Sequence, residues 1–254
     1  MSEHVKRMIN RRHILKLYSG FLLALDWVFP PKCIGCGIEK EHFCKTCLEK
    51  INYLNKDVCQ FCGSPIRFGT TCNECLREKP HYDQLRSVST YTPPISNAIR
   101  LLKYQRDITL GLILSQLMAK KVVEMNWKVD MVLAVPMSPK HFQERGYNQA
   151  AVLAYPISLL LDLDFESGAI IKKRETKTQV GLSAKERKMN VENAFFADSK
   201  IVSGKNVLVV DDVSTTGATI NACSYALRQA GAALIYAITL GKAAFSSSPL
   251  ELQS

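Results

Sequence analysis

At 254 residues, with 47% hydrophobic and 22% charged side chains, the chain can build one large domain or two unequal ones; a disordered, collagenous or coiled-coil protein is excluded. Lysine and arginine number 33 against 23 acidic residues, a formal net charge of +10 that suits phosphate-bearing partners, either nucleic acid or a small polyphosphate. No window of about 18 apolar residues exists and the N-terminus lacks a secretory pattern, so no transmembrane segment is expected and the chain reads as cytoplasmic.

Residues 1–30 read as a basic amphipathic helix. Ile14, Leu17, Phe21, Leu22 and Leu25 recur at helical spacing. The apolar side is expected to pack on the larger domain, with a membrane-surface role as the alternative.

Residues 31–80 hold eight of the nine cysteines, all as C-x-x-C pairs: Cys33/Cys36, Cys44/Cys47, Cys59/Cys62 and Cys72/Cys75. A reduced compartment disfavours a disulfide framework. Two thiolates around a tight turn grip one tetrahedral ion, and two such pairs complete a four-sulfur Zn2+ site. The segment is an internal repeat. Cys33-Ile-Gly-Cys36-Gly37 matches Cys59-Gln-Phe-Cys62-Gly63, and Cys44-Lys-Thr-Cys47-Leu48 matches Cys72-Asn-Glu-Cys75-Leu76. Each repeat owns four ligands, so sequential closure is expected: Cys33, Cys36, Cys44 and Cys47 on one zinc, and Cys59, Cys62, Cys72 and Cys75 on a second. A cross-braced pairing is the runner-up, and an iron–sulfur cluster or redox dithiols are the other chemistries. A closed thiolate set leaves no open position, so the metals are expected to be structural. Such a module can touch nucleic acid or merely brace its neighbour.

Pro80 marks the linker to a phosphate-handling domain expected over 81–245. Arg86–Tyr91 reads as a strand, and Pro94–Tyr104 and Asp107–Met125 as helices. A strand over 130–135, a helix over 147–161 and a short strand near Ile170 follow. The connection 172–188 is strongly basic, with Lys172, Lys173, Arg174, Lys177, Lys185, Arg187 and Lys188. It can close over an anionic leaving group, with Lys177 and Arg187 as candidate catalytic groups, or be a solvated basic face. Lys103 is a weaker candidate contact.

Val207–Val210 reads as a strand buried on both faces. It ends at Asp211 and Asp212, followed by the turn Ser214-Thr215-Thr216-Gly217 and a helix over 219–230 that contains Cys223, read as plain core. A helix start offers free N–H groups and a positive dipole end to a phosphate. Thr215, Thr216 and Thr219 can add hydroxyl donors, and Gly217 lets the backbone approach closely. The carboxylates suit a sugar diol or the waters of a bound Mg2+. Diol plus phosphate at this spacing describes a ribose 5-phosphate; the bland alternative is an acidic turn capping an ordinary helix. Leu234–Leu240 reads as a further buried strand, and 246–254 as a loose tail. Strands alternating with helices give an α/β fold with a doubly wound, mostly parallel sheet.

The stretch from Val207 to Thr219 resembles the phosphoribosyl-pyrophosphate motif of type I phosphoribosyltransferases. The resemblance implies that Asp211 and Asp212 hold the ribose hydroxyls. It implies that Ser214, Thr215, Thr216, Gly217, Ala218 and Thr219 hold the 5-phosphate, with Mg2+ accompanying the ligand. Thr215 stands where purine-specific members often carry an acid. Together with Asp26-Trp-Val-Phe-Pro-Pro31, the four cysteine pairs, Val132-Leu-Ala-Val-Pro136, Arg145-Gly-Tyr-Asn-Gln149 and the polar connection from Arg174 to Phe195, the chain is similar to the ComF family over about residues 15–243. These are competence-associated, phosphoribosyltransferase-like proteins with an N-terminal double zinc ribbon. That resemblance places Arg145 near the pyrophosphate. It implies phosphoribosyl pyrophosphate, single-stranded DNA and other competence proteins as partners in natural transformation. The alternative is a nucleic-acid-binding accessory protein whose sugar–phosphate site is vestigial or regulatory and does not turn over. The acceptor base or amine is not legible.

Overall fold

The computed structural model describes residues 3–28, 30–105, 109–173 and 194–243. Among them the sheet is built from five parallel strands in the order β1-β7-β6-β2-β3: β1 (Gln84–Thr90), β7 (Leu234–Lys242), β6 (Asn206–Ser214), β2 (Met131–Ala134) and β3 (Asp164–Phe165). The β-branched runs explain the inner positions. Val207 to Val210 and Ile235, Ala237, Ile238 and Leu240 are fully buried, as strands covered on both faces must be. The register Val132↔Leu208↔Tyr236 lines up the carboxyl ends of β2, β6 and β7 on one edge.

Helices α5 (Leu110–Glu124) and α7 (Gln149–Leu161) pack together over one region of the sheet, and α9 (Ala218–Gln229) packs against β6 and β7. Ser115 joins α5 to α7 by donating its hydroxyl to the Leu153 carbonyl at 2.8 Å. The helix expected from Pro94 to Tyr104 is α4 (Ile95–Arg100) followed by a π-helical turn, Leu101–Gln105. The motif Arg145-Gly-Tyr-Asn-Gln149 spans two helices. Arg145 ends α6 (Pro139–Arg145), Gly146 closes it in the left-handed region, and Asn148 caps α7 by accepting from the Ala150 amide.

The expected strand near Ile170 exists as β4 (Ile170–Lys172) but lies outside the main sheet. It pairs antiparallel with β5 (Phe195–Ala197), which leads into the short α8 (Ser199–Val202). β6 runs through Ser214, four residues beyond the expected end, because it stays in register with β7 as far as Lys242. The loose tail and most of the basic connection, Lys177 and Arg187 included, lie outside the described residues.

The N-terminal helix α1 (Glu3–Val28) corrects one expectation. The inward stripe is Arg11, Ile14, Leu15, Tyr18, Leu22 and Asp26, tied down by Arg11 to Asp162 and Asp164 and by Asp26 to His42. Leu17 and Phe21, expected on the packed side, are 75% and 58% exposed. Each precedes a stripe residue by one position, which turns it about 100° away around the helix. No helix among the described residues is long and apolar enough to cross a membrane.

Leu114 on α5 is fully buried. Leu114→Ala should destabilise the chain by about 2–5 kcal/mol, read as an earlier urea midpoint with an unchanged slope.

Candidate functional site

The eight paired cysteines gather into two clusters, Cys33, Cys36, Cys44, Cys47 and Cys59, Cys62, Cys72, Cys75, with the ligand atoms in each all within 4.8 Å of one another. The closure is therefore sequential. Four sulfurs about 2.3 Å from a tetrahedral zinc stand about 3.8 Å apart. The Sγ atoms of Cys36 and Cys44 are separated by 3.7 Å, and those of Cys62 and Cys72 by 3.6 Å, so the donor sets fit the ion.

Gly37 and Gly63, after the leading pairs, both take positive φ, at 77° and 65°. The second pair of each repeat opens one turn of helix, α2 (Lys45–Glu49) and α3 (Asn73–Arg77). Burial opposes ionisation of Cys33, but the amides of Cys44, Cys36 and Gly35 outweigh it and bring that thiol down to about 6. Cys59 falls likewise to about 7, burial being outweighed by the amides of Cys72, Cys62 and Phe61. Each cluster thus starts with one thiol ready as thiolate, the form a metal requires.

The second constellation stands at the carboxyl edge of the sheet. Gly217 carries a φ of 79° and immediately precedes α9, whose first amides have no side chain capping them from the N-cap position. The cradle formed here is lined by Asp211, Ser214, Thr215, Thr216, Gly217, Ala218 and Thr219. All six residues expected at a 5-phosphate therefore converge. Thr216 Oγ1 accepts from the Ala218 amide at 3.2 Å, which holds the turn shut. The Ser214 hydroxyl lies 3.4 Å from the Lys242 ammonium, on the buried side.

Asp211 and Thr219 also line the adjoining cleft of about 260 Å³, so cradle and cleft share a wall. Asp212 is only 3% exposed, yet it lines that cleft rather than the core. Its Oδ2 is the one buried side-chain oxygen among the described residues without a hydrogen bond. Lys103 Nζ lies 2.7 Å from it as an ion-pair partner, off the hydrogen-bond direction. Burial and then the neighbouring charge of Asp212 push the Asp211 carboxyl up to about 8, against the pull of Lys103.

The far wall of the cleft carries Ser138, His141, Arg145, Asn148, Gln149 and Lys172. The role of the Arg-Gly-Tyr-Asn-Gln segment is now visible. Arg145 donates to Gln149 Oε1 at 2.9 Å and stacks over Tyr104. Tyr147 donates to the Leu102 carbonyl, in the π-helical turn that bears Lys103. Asn148 donates to the Val135 carbonyl at 2.9 Å, at the end of β2. One segment so positions two cations and ties the edges of the cleft together.

Lys103, weighed lightly from sequence, lines the cleft, and its place in the π-helical turn carried no sequence signal. His141 and Ser138, 3.2 Å apart, carried no sequence signal. Cys223 is fully buried, as expected of core.

A parallel sheet with an acid-bearing strand, a hydroxyl-rich turn and a helix start defines a phosphoribosyltransferase-type domain, preceded here by a double zinc ribbon. Comparison with known proteins agrees. Residues 24–76 match the double zinc ribbon domain, and residues 110–245 the phosphoribosyl transferase domain. The chain is 33% identical over 198 residues to DNA utilization protein YhgH of Escherichia coli K12, covering 76% of this chain and 86% of that protein. It is 33% identical over 212 residues to Competence protein F of Haemophilus influenzae, covering 79% and 92%. Competence protein ComFC of Streptococcus pneumoniae is 26% identical over 192 residues, covering 74% and 82%. The chain belongs to the ComF family.

Native mass spectrometry of the purified protein should count two zinc ions per chain, and Cys36→Ser or Cys72→Ser should each leave one. Zinc affinity should rise with pH, because the remaining thiols, such as Cys47 pushed up to about 12 by burial and its neighbours, must lose their protons to bind.

Proposed function

We propose that the chain binds phosphoribosyl pyrophosphate, with the 5-phosphate on the turn Ser214–Thr219 and the ribose hydroxyls on Asp211 and Asp212. The observation that carries this reading is the shared wall: Asp211 and Thr219 line both the hollow at the helix start and the adjoining cleft that Asp212 also lines. Lys103, Arg145 and Lys172 surround the cleft with positive charge where the pyrophosphate would lie. Mg2+ suits the carboxylate and phosphate oxygens and would shield the leaving pyrophosphate. The chain's own contribution is electrostatic. It holds the sugar, neutralises the departing charge and needs no protein nucleophile.

A second reading is supported by the names of the relatives, DNA utilization and competence, and by the net charge of +10. In it the protein works in the cytoplasm on single-stranded DNA, alongside other competence proteins, and the sugar–phosphate site is regulatory. Fluorescence anisotropy across a salt series checks it: affinity should fall steeply with salt, and a flat series would remove the DNA reading.

For the first reading, calorimetric titration should show saturable binding of phosphoribosyl pyrophosphate with Mg2+. The double variant Asp211→Ala, Asp212→Ala should lose it; unchanged binding would sink the assignment. The pH dependence has a definite sign. Burial and the neighbouring Asp212 charge push the Asp211 carboxyl up to about 8, toward the protonated form, and a sugar hydroxyl needs it as an acceptor. Affinity should therefore strengthen from neutral pH upward, with proton release detectable in buffers of different ionisation enthalpy.

A further inference from the structure

The second ribbon does more than stand beside the sheet. Its Phe61 carbonyl accepts from the Leu85 amide of β1 at 2.7 Å. The Arg86 guanidinium, itself buried, reaches the carbonyls of Leu85, Gln60, Cys59 and Phe61 at 2.9, 3.1, 3.4 and 3.5 Å. Gly63 is pressed so close that a Cβ would lie 2.6 Å from the Leu85 carbonyl oxygen.

From the opposite side, Lys242 at the end of β7 reaches into the same junction. It is 3% exposed, and its ammonium lies 3.5 Å from the Cys62 carbonyl oxygen and 3.4 Å from Ser214 Oγ. One buried cation therefore touches both a metal-ligand residue and the first residue of the phosphate turn. The Tyr82 hydroxyl backs the same turn, 3.3 Å from where a Cβ of Gly217 would stand.

Charge explains why these two cations can be buried. Four thiolates around Zn2+ carry a net −2, and Arg86 and Lys242 together carry +2. Burial pulls both cations toward their neutral forms, and the neighbouring thiolates of Cys59 and Cys62 oppose that pull. Buried charge without a counter-charge is costly. The first cluster differs. The buried cations among the described residues are Arg86, Lys121 and Lys242, and Lys121 is held by the Leu54 carbonyl and Asn55.

We infer that Lys242 is a positioning residue for the phosphate turn and that the second thiolate site supplies its counter-charge, so that loss of metal from that site, and not from the first, loosens the turn. The proposal rests on the reading of Ser214–Thr219 as a phosphate cradle. Its consequence is that the second ribbon is a working part of the sugar–phosphate site, and the two halves of the chain do not act independently.

Hydrogen–deuterium exchange of the ligand-free, full-length protein tests the coupling, with ribose 5-phosphate titration as the second readout. Cys72→Ser removes the second site, Cys44→Ser the first, and Lys242→Met removes the ammonium while keeping an unbranched apolar stem. Native mass spectrometry verifies one, one and two metals. Cys72→Ser and Lys242→Met should each speed exchange at amides 214–219 by about tenfold, while the β2 amides stay protected. Both should weaken ribose 5-phosphate by a similar factor, with Cys44→Ser close to the parent. Equal exchange at the turn in Cys72→Ser and the parent would overturn the inference, as would equal loosening in Cys44→Ser. If Lys242→Met unfolds globally, Cys72→Ser decides alone. A parent that shows the exchange pattern but no ribose 5-phosphate binding would retire the phosphate reading and leave the mechanical coupling standing.

Discussion

The structure depends on where β6 ends. A strand covered on both faces by apolar packing must stop burying side chains somewhere, and here it carries its pairing with β7 on to Ser214 while its side chains turn acidic at 211. Two carboxylates held in a sheet edge cannot relax away from each other. One is pushed toward protonation by burial and by its neighbour, and the other keeps an oxygen without a hydrogen bond. The helix start beyond Gly217 supplies the opposite potential a few residues on. The juxtaposition of buried acids and a helix start at Gly217 defines the site's chemistry, and the remaining elements hold or charge its walls.

The far wall is assembled by a network of short-range ties. Tyr147 binds the turn bearing Lys103, Asn148 binds the end of β2, and Gln149 receives Arg145. A five-residue run thereby fixes two cations opposite the carboxylates without either cation being part of the sheet. The cleft carries acids and cations together, with Lys103 paired to Asp212 and with Arg145 and Lys172 also on its lining.

The ribbons illustrate how a small segment acquires a fold it could not reach by hydrophobic burial. Backbone amides aimed at Cys33 and Cys59 prepare a thiolate in each cluster, and the metal supplies the rest. The second cluster is also grafted onto β1 through Arg86 and the close approach at Gly63, which makes it continuous with the larger domain.

Much of this was legible in the linear order of residues. Four C-x-x-C pairs in a repeat specify two ligand sets, because each turn brings its thiolates together locally. The Val207–Thr219 run specifies strand, acids, turn and helix, because each depends on neighbours within a few positions. The sequence could not say that Lys103 faces Asp212, that Lys242 lies beneath the second ribbon, or that Leu17 and Phe21 turn outward while Leu22 turns in. Those facts depend on contacts across about a hundred residues or more, or on a helix's rotation against its support. Periodicity gives an apolar stripe but not its angle, and composition gives charges but not their partners. Local chemistry was written in the chain; which charges meet was decided only when the sheet brought its edges together.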